Sequence, residues 1–112
     1  MIKGLDKLTA QLEAIADADY TDALLKGGQV IFDEMQARTP VDKGDLKESE
    51  GLEAIGRNKI ELSAGTDHAE FVEFGTSNQA PQSYMRSAID SKADEAMKAV
   101  ANEVNKIMQA AV

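Results

Sequence analysis

The spacing of apolar residues predicts two consecutive amphipathic helices in the N-terminal part of the chain. Over residues 2–16, apolar side chains recur at helical intervals, at Leu5, Leu8, Leu12 and Ile15. Residues 17–19 then offer turn and capping side chains. A second helical pattern follows, and its apolar positions are Leu24, Leu25, Ile31, Phe32 and Met35. Pro40 should end this helix, because a proline restricts the residue before it to extended conformations.

Gly27 and Gly28 interrupt the second helical pattern. Each glycine costs about 1 kcal/mol relative to alanine in a helix interior. Two interpretations stay open at this point. The pair is either a tolerated defect or kink, or a place where another backbone packs closely against the helix.

From about Ser49 the pattern changes to the alternation of half-buried strands. Leu52 and Ala54 alternate with polar residues, and the alternation resumes at Ile60, Leu62 and Ala64. The sequence GRNK at residues 56–59 predicts a hairpin turn between these two strands. A third strand over residues 69–74 carries apolar side chains on both faces, which favours a central or covered position.

A long amphipathic helix is predicted from Pro81, at the first helical turn, almost to the C-terminus. Its stripe comprises Met85, Ile89, Ala93, Met97, Val100, Val104, Ile107 and Ala111. A straight helix of about 30 residues is about 45 Å long, whereas a domain of this size is roughly 35 Å across. The helix should therefore bend, fray or overhang. The predicted fold class is α+β, with two N-terminal helices, a small antiparallel sheet of three to four strands and a long C-terminal helix in one domain, residues 1–112.

Composition and charge narrow the function classes. The chain has 112 residues, and 12 Lys and Arg against 20 Asp and Glu give a net charge of −8. The absence of cysteine excludes disulfides, thiolate nucleophiles and cysteine-based zinc sites, and fits a reducing compartment. The excess of acidic over basic residues argues against binding to the phosphate backbone of a nucleic acid. The sequence also contains neither the apolar core of a signal peptide nor an apolar run long enough to span a membrane.

Two short acidic segments are the candidates for chemistry. The sequence DHAEFVE at residues 67–73 contains the single histidine, but two ligands on one strand face make a poor metal site. The acids at residues 42, 45 and 48 lack the spacing of a calcium loop, so a turn with carboxylates accepting backbone N–H groups is the better interpretation. We therefore expect no enzymatic activity, no cofactor and no metal.

Three segments resemble, in order, those of a known phage family. The sequence TPVDKGDLKES at residues 39–49 resembles the pattern A-P-V-D-T-G-N-L-R-x-S. The sequence HAEFVEFGT at residues 68–76 resembles Y-A-x-x-V-E-F-G-T, and PQSYMRSA at residues 81–88 resembles P-x-P-F-M-R-P-A. The chain thus resembles the head–tail joining or tail-completion proteins of tailed phages, the tail-component proteins of the siphophage gene-product-ten type.

The resemblance implies structural rather than catalytic roles for the matching positions. These are Pro40, Asp42, Gly44, Leu46, Ser49, Glu73, Phe74, Gly75, Thr76, Pro81, Met85 and Arg86. Ser49 can form a hydrogen bond near the start of a strand. Glu73 is expected to find backbone N–H groups or Arg86. Residues 42–53 contain five acids and two lysines, so we expect them to be solvated before assembly.

The resemblance implies a structural protein of a tailed phage or prophage, located at the virion head–tail junction and in the host cytoplasm during assembly. It suggests a homo-oligomer, a hexameric ring, that contacts head-completion or adaptor proteins and tail-tube or terminator proteins. DNA would pass through the ring without specific binding, because an acidic lining repels phosphates. No membrane contact is expected. The alternative is a small acidic regulatory or inhibitor protein that binds a basic partner.

Overall fold

The computed structural model describes residues 18–40, 47–65, 67–72, 76–77 and 83–110. It shows an α+β fold in which two helices flank the sheet in chain order. Helix α1 spans Thr21–Arg38 and helix α2 spans Ser83–Ala110. Between them lie strands β1 (Gly51–Gly56), β2 (Lys59–Ala64), β3 (Asp67–Val72) and β4 (Thr76–Ser77). The predicted first helix over residues 2–16 lies outside the described residues.

Helix α1 begins where the sequence predicts the second helix, and its start is held by polar contacts from two directions. The N-cap residue is Tyr20, and the backbone N–H of Thr21 donates to Oδ1 of the preceding Asp19 at 2.9 Å. From the β1–β2 turn, Asn58 Oδ1 accepts the N–H of Tyr20, and the N–H of Asn58 donates to Thr21 Oγ1 at 3.0 Å. The hydrogen bonds to Thr21 are the main cause that lowers the pKa of Asp19. Asn58, which is distant in sequence, thus helps to fix the first turn of the helix.

Pro40 ends α1 in the expected manner. The helix stops at Arg38, and Thr39 has an extended ψ of 129°, as expected of a residue that precedes a proline. The N–H of Thr39 still donates to the carbonyl of Met35 at 3.0 Å, which satisfies one of the last helical acceptors.

The strands form an antiparallel meander in the order β1-β2-β3-β4. Strands β1 and β2 are joined at residues 57–58, as the sequence predicts, and Asn58 has a positive φ of 57°. The alternation on β2 is also confirmed, because Ile60, Leu62 and Ala64 are all buried. The register pairs Leu52 with Leu62 and places both side chains on the same face of the sheet.

Helix α1 packs closely on this apolar face at Gly28. A Cβ atom at Gly28 would lie 2.7 Å from Cδ1 of Ile60 and 2.9 Å from Cδ1 of Leu52. The close approach expected as one of two alternatives is therefore present at Gly28, but it is made by side chains of the sheet rather than by another backbone.

Helices α1 and α2 pack antiparallel to one another. Near the start of α1, Lys26 Nζ lies 2.9 Å from a carboxylate oxygen of Glu103, and near its end Glu34 lies 3.8 Å from Lys92 Nζ. The core between helices and sheet contains Leu24, Ile31, Met35, Ile60, Leu62, Ala64, Ala69, Phe71, Met85, Ala88 and Ala96. A second apolar cluster joins the beginning of α1 to the later part of α2, and its members are Ala18, Tyr20, Ala23, Val100, Val104 and Ile107.

Of the two positions expected for the third strand, the structure shows the central one: β3 is internal to the sheet, while His68 and Val72 are exposed on the face opposite Ala69 and Phe71.

One expectation needs correction. Residues 42–53 are not uniformly solvated, because Glu50 is buried with 9% exposure. Sequence periodicity does not reveal which residues distant segments cover.

Candidate functional site

The residues that carry the family resemblance are divided between the described part of the chain and the rest. Asp42, Gly44, Leu46, Glu73, Phe74, Gly75 and Pro81 lie outside the described residues. Thr76 belongs to β4, and Pro40 is exposed directly after α1. Met85 is fully buried in the first turn of α2, whereas Arg86 is exposed. The expected contact between Glu73 and Arg86 falls outside the described residues and stays a prediction.

Ser49 forms a hydrogen bond shortly before β1, as the sequence predicts, and its partner lies 16 residues further along the chain. Its Oγ accepts the backbone N–H of Gly65 at 2.9 Å. Gly65 has a positive φ of 61°, a conformation that glycine adopts without steric cost, and it sits in the turn between β2 and β3. The hydrogen bond ties the residues before β1 to this turn.

A buried polar cluster, formed by Thr39, Glu50 and Tyr84, adjoins the first and third motifs. Thr39 Oγ1 lies 2.5 Å from Glu50 Oε2 and 2.8 Å from the carbonyl oxygen of Met35. Both Thr39 and Glu50 are buried. The other carboxylate oxygen of Glu50 and the hydroxyl of Tyr84 are buried and have no hydrogen-bond partner in the described part of the chain. The cluster connects the end of α1, the residue before β1 and the first turn of α2.

The environment of Tyr84 favours its neutral form. Burial raises the pKa of Tyr84 above its ordinary value, and the negative charges of Glu50 and Asp67 add to the effect. Sequence reasoning missed this cluster, because Glu50 is one acid among 20 and follows the first motif directly. A usable signal was the tyrosine at position 84, where the family pattern has phenylalanine.

Tyr84→Phe should leave the protein equally stable or more stable at neutral pH, by up to about 1 kcal/mol, because it removes a buried hydroxyl that has no partner. The raised pKa means that the folded protein keeps the tyrosine proton when the unfolded chain has lost it. Stability of the unchanged protein should therefore fall as the pH rises through about 10. Denaturant unfolding between neutral and alkaline pH should show a smaller alkaline loss for the variant. A variant much less stable than the parent at neutral pH would contradict this account.

The face of the sheet opposite the helices carries a row of carboxylates; because no described helix or strand covers this face, it is called the open face. The register pairs Glu53 with Glu61 and Glu61 with Glu70, so the three side chains stand side by side across β1, β2 and β3. Like charges directly opposite one another destabilise a sheet. Two neighbours offset the repulsion in part, since Lys59 Nζ lies 3.0 Å from Glu70 and His68 Nδ1 lies 3.3 Å from Glu61.

The described residues contain no group of three or more His, Cys, Asp or Glu side chains arranged to hold a metal ion. His68, the single histidine, is exposed and contacts Glu61 on the open face. As predicted, His68, Glu70 and Val72 share one face of β3. The contact between His68 and Glu61 joins β3 to β2 on the open face.

A comparison with protein families decides the affiliation. Residues 1–75 match the family described as "Bacteriophage HK97-gp10, putative tail-component". The chain belongs to this HK97-gp10-like family. The matched residues of this phage tail component include the first motif and all but the last residue of the second, whereas the third motif and α2 follow the match. Neither a curated protein nor a solved structure matches the chain.

The family places the chain among the structural components of phage tails, and therefore in the virion. Within the described ranges, neither helix of this tail component is long and apolar enough to cross a membrane.

Proposed function

We propose that the protein is a structural, non-enzymatic subunit of a homo-oligomeric ring at the head–tail junction of a tailed phage or prophage. The observation that carries the proposal is the family match over residues 1–75. The ring is a hexamer that assembles in the host cytoplasm. It joins head-completion or adaptor proteins on one side to tail-tube or terminator proteins on the other.

The charge of the protein supports a role as a channel that DNA traverses without sticking. The net charge is −8, and the open sheet face places Glu53, Glu61 and Glu70 in one row, in which Glu53 is exposed and Glu61 and Glu70 are partly buried. A row of carboxylates repels the phosphates of DNA and keeps the duplex away from the wall. Like charges opposite one another cost a sheet some stability, and the contacts of Lys59 with Glu70 and of His68 with Glu61 offset this cost in part. In the proposed ring the open sheet face is directed toward the lumen, where the same carboxylates keep DNA away from the wall.

Deletion of the gene from the parent phage tests the proposal. We expect free, DNA-filled heads and separate tails to accumulate, with infectious particles restored when the unchanged gene is supplied in trans. Glu48→Gln, which changes an exposed carboxylate outside the sheet, should complement as the parent does. Normal virions from the deletion strain would contradict the structural role. If the purified acidic protein were then found bound to a basic host protein, the regulatory alternative would replace the proposal.

A further inference from the structure

Helix α2 leaves an apolar seam exposed beside the face that it packs on α1. The seam is centred on Met97, which is 45% exposed, and it continues one helical turn on either side with Ala93, which is half-buried, and Ala101, which is exposed. Residues four apart lie on the same helix face. Small alanines on both sides of a large flexible methionine allow another helix backbone to approach closely.

The charges beside this seam are separated along the helix. Asp94 precedes Met97 and Lys98 follows it, and both side chains are exposed on the same flank. Among the other charged residues of α2, Lys92 contacts Glu34 and Glu95, and Glu103 contacts Lys26 and Lys106. Asp94 and Lys98 belong to none of these ion pairs.

We propose that two copies of this chain associate through their α2 helices, which pair antiparallel about a two-fold axis at Met97. In this arrangement Met97 meets Met97 of the second copy, and Ala93 faces Ala101. Asp94 of each copy lies opposite Lys98 of the other, about 3 Å apart along the helix axis at a rise of 1.5 Å per residue. A parallel two-fold pair would instead place this charged flank of the two copies on opposite sides of the interface, so Asp94 and Lys98 would have no charged partner across it.

The two-fold pair differs from the ring contact of the proposed function. A two-fold contact joins identical surfaces and closes on itself, whereas a ring joins two different surfaces of each subunit. The proposal assigns the pair to the free protein, in which it keeps the α2 seam covered before assembly.

Disulfide trapping tests the symmetry of the contact directly, because the chain contains no cysteine. Under mild oxidation, Met97→Cys should yield a covalent dimer of the full chain in good yield at micromolar concentration. Val72→Cys is the matched control, since Val72 is 40% exposed but lies on the open sheet face; it should give little dimer. Equal trapping at both positions, or none at position 97 with folded protein confirmed by circular dichroism, would overturn the proposal.

Sedimentation equilibrium of the unoxidised protein supplies the second test. Met97→Glu should raise the dimer dissociation constant by at least roughly tenfold, because each dimer then buries two charges at its centre, whereas Val72→Glu should leave it unchanged. Asp94→Lys and Lys98→Asp should each weaken the dimer, and the double variant should recover it. If the double variant forms a dimer no tighter than those of the single variants, the result would contradict the antiparallel pairing.

The outcomes separate this inference from the proposed function. Rings of the unchanged protein with no trapping at position 97 would reject the two-fold pair and leave the ring standing. Trapped dimers together with normal virions from the deletion strain would support the two-fold pair and reject the proposed role at the head–tail junction.

Discussion

Leu62→Ala is expected to destabilise the protein by about 2–5 kcal/mol, because it leaves a cavity that the surrounding side chains fill only in part. Leu62 is fully buried on the internal strand β2 and belongs to the core between the helices and the sheet. The loss is a large fraction of the stability of a small domain, for which 5–15 kcal/mol is usual. Urea unfolding followed by circular dichroism measures it as a lower midpoint.

Ile55→Ala is the control for this prediction. Ile55 is 39% exposed on the edge strand β1, so its truncation should cost less than about 1 kcal/mol. Similar losses at the two positions would show that the face of the sheet assigned to the core is wrong.

Thr39→Val is expected to destabilise the protein by about 1–3 kcal/mol or more, although valine matches threonine in shape. The substitution removes the hydroxyl that lies 2.5 Å from Glu50 Oε2. The second carboxylate oxygen of Glu50 is already buried and has no hydrogen-bond partner in the described part of the chain. In the variant, the first oxygen loses its contact with the threonine hydroxyl as well. Leaving a buried acceptor unsatisfied costs its desolvation free energy, and the cost is larger for a charged group.

Two further variants locate the cause of that loss. Thr39→Ser keeps the hydroxyl and should retain most of the stability. Combining Thr39→Val with Glu50→Leu replaces both polar partners by apolar groups, so the double variant should be clearly more stable than the sum of the two single losses predicts. Additive losses would show that Thr39 and Glu50 are not coupled, and would contradict the account of the polar cluster.

Local rules predicted much of the described fold. Pro40 gave the end of α1 to within two residues, because its effect on Thr39 is a backbone restriction that needs no tertiary partner. The alternation of Ile60, Leu62 and Ala64 gave both the strand β2 and its buried face. The long apolar stripe gave α2, although its exposed Met97 shows that the fold covers only part of the stripe.

Long-range polar contacts could not be predicted in the same way. Asn58 was assigned to a turn, but its contacts with Tyr20 and Thr21 join residues 38 and 37 positions apart. Glu50 was expected to be solvated because it lies in an acidic segment, yet Thr39 and the surrounding chain bury it. Both depend on how the elements pack, which composition and periodicity do not encode.

The structure shows where three of the acidic residues lie relative to one another. The carboxylates of Glu53, Glu61 and Glu70 come from three strands, and only the observed register brings them into one row. The sequence predicted a repulsive lining without saying where it would lie. The open sheet face is the surface that the proposed ring would turn toward DNA.

A reconstruction of the virion neck tests the central claim most directly. The account predicts a closed ring of copies of this chain between head and tail, in which the antiparallel helices α1 and α2 and the sheet can be recognised and the open sheet face lines the channel. Density for the chain elsewhere in the tail, with none at the head–tail junction, would contradict it.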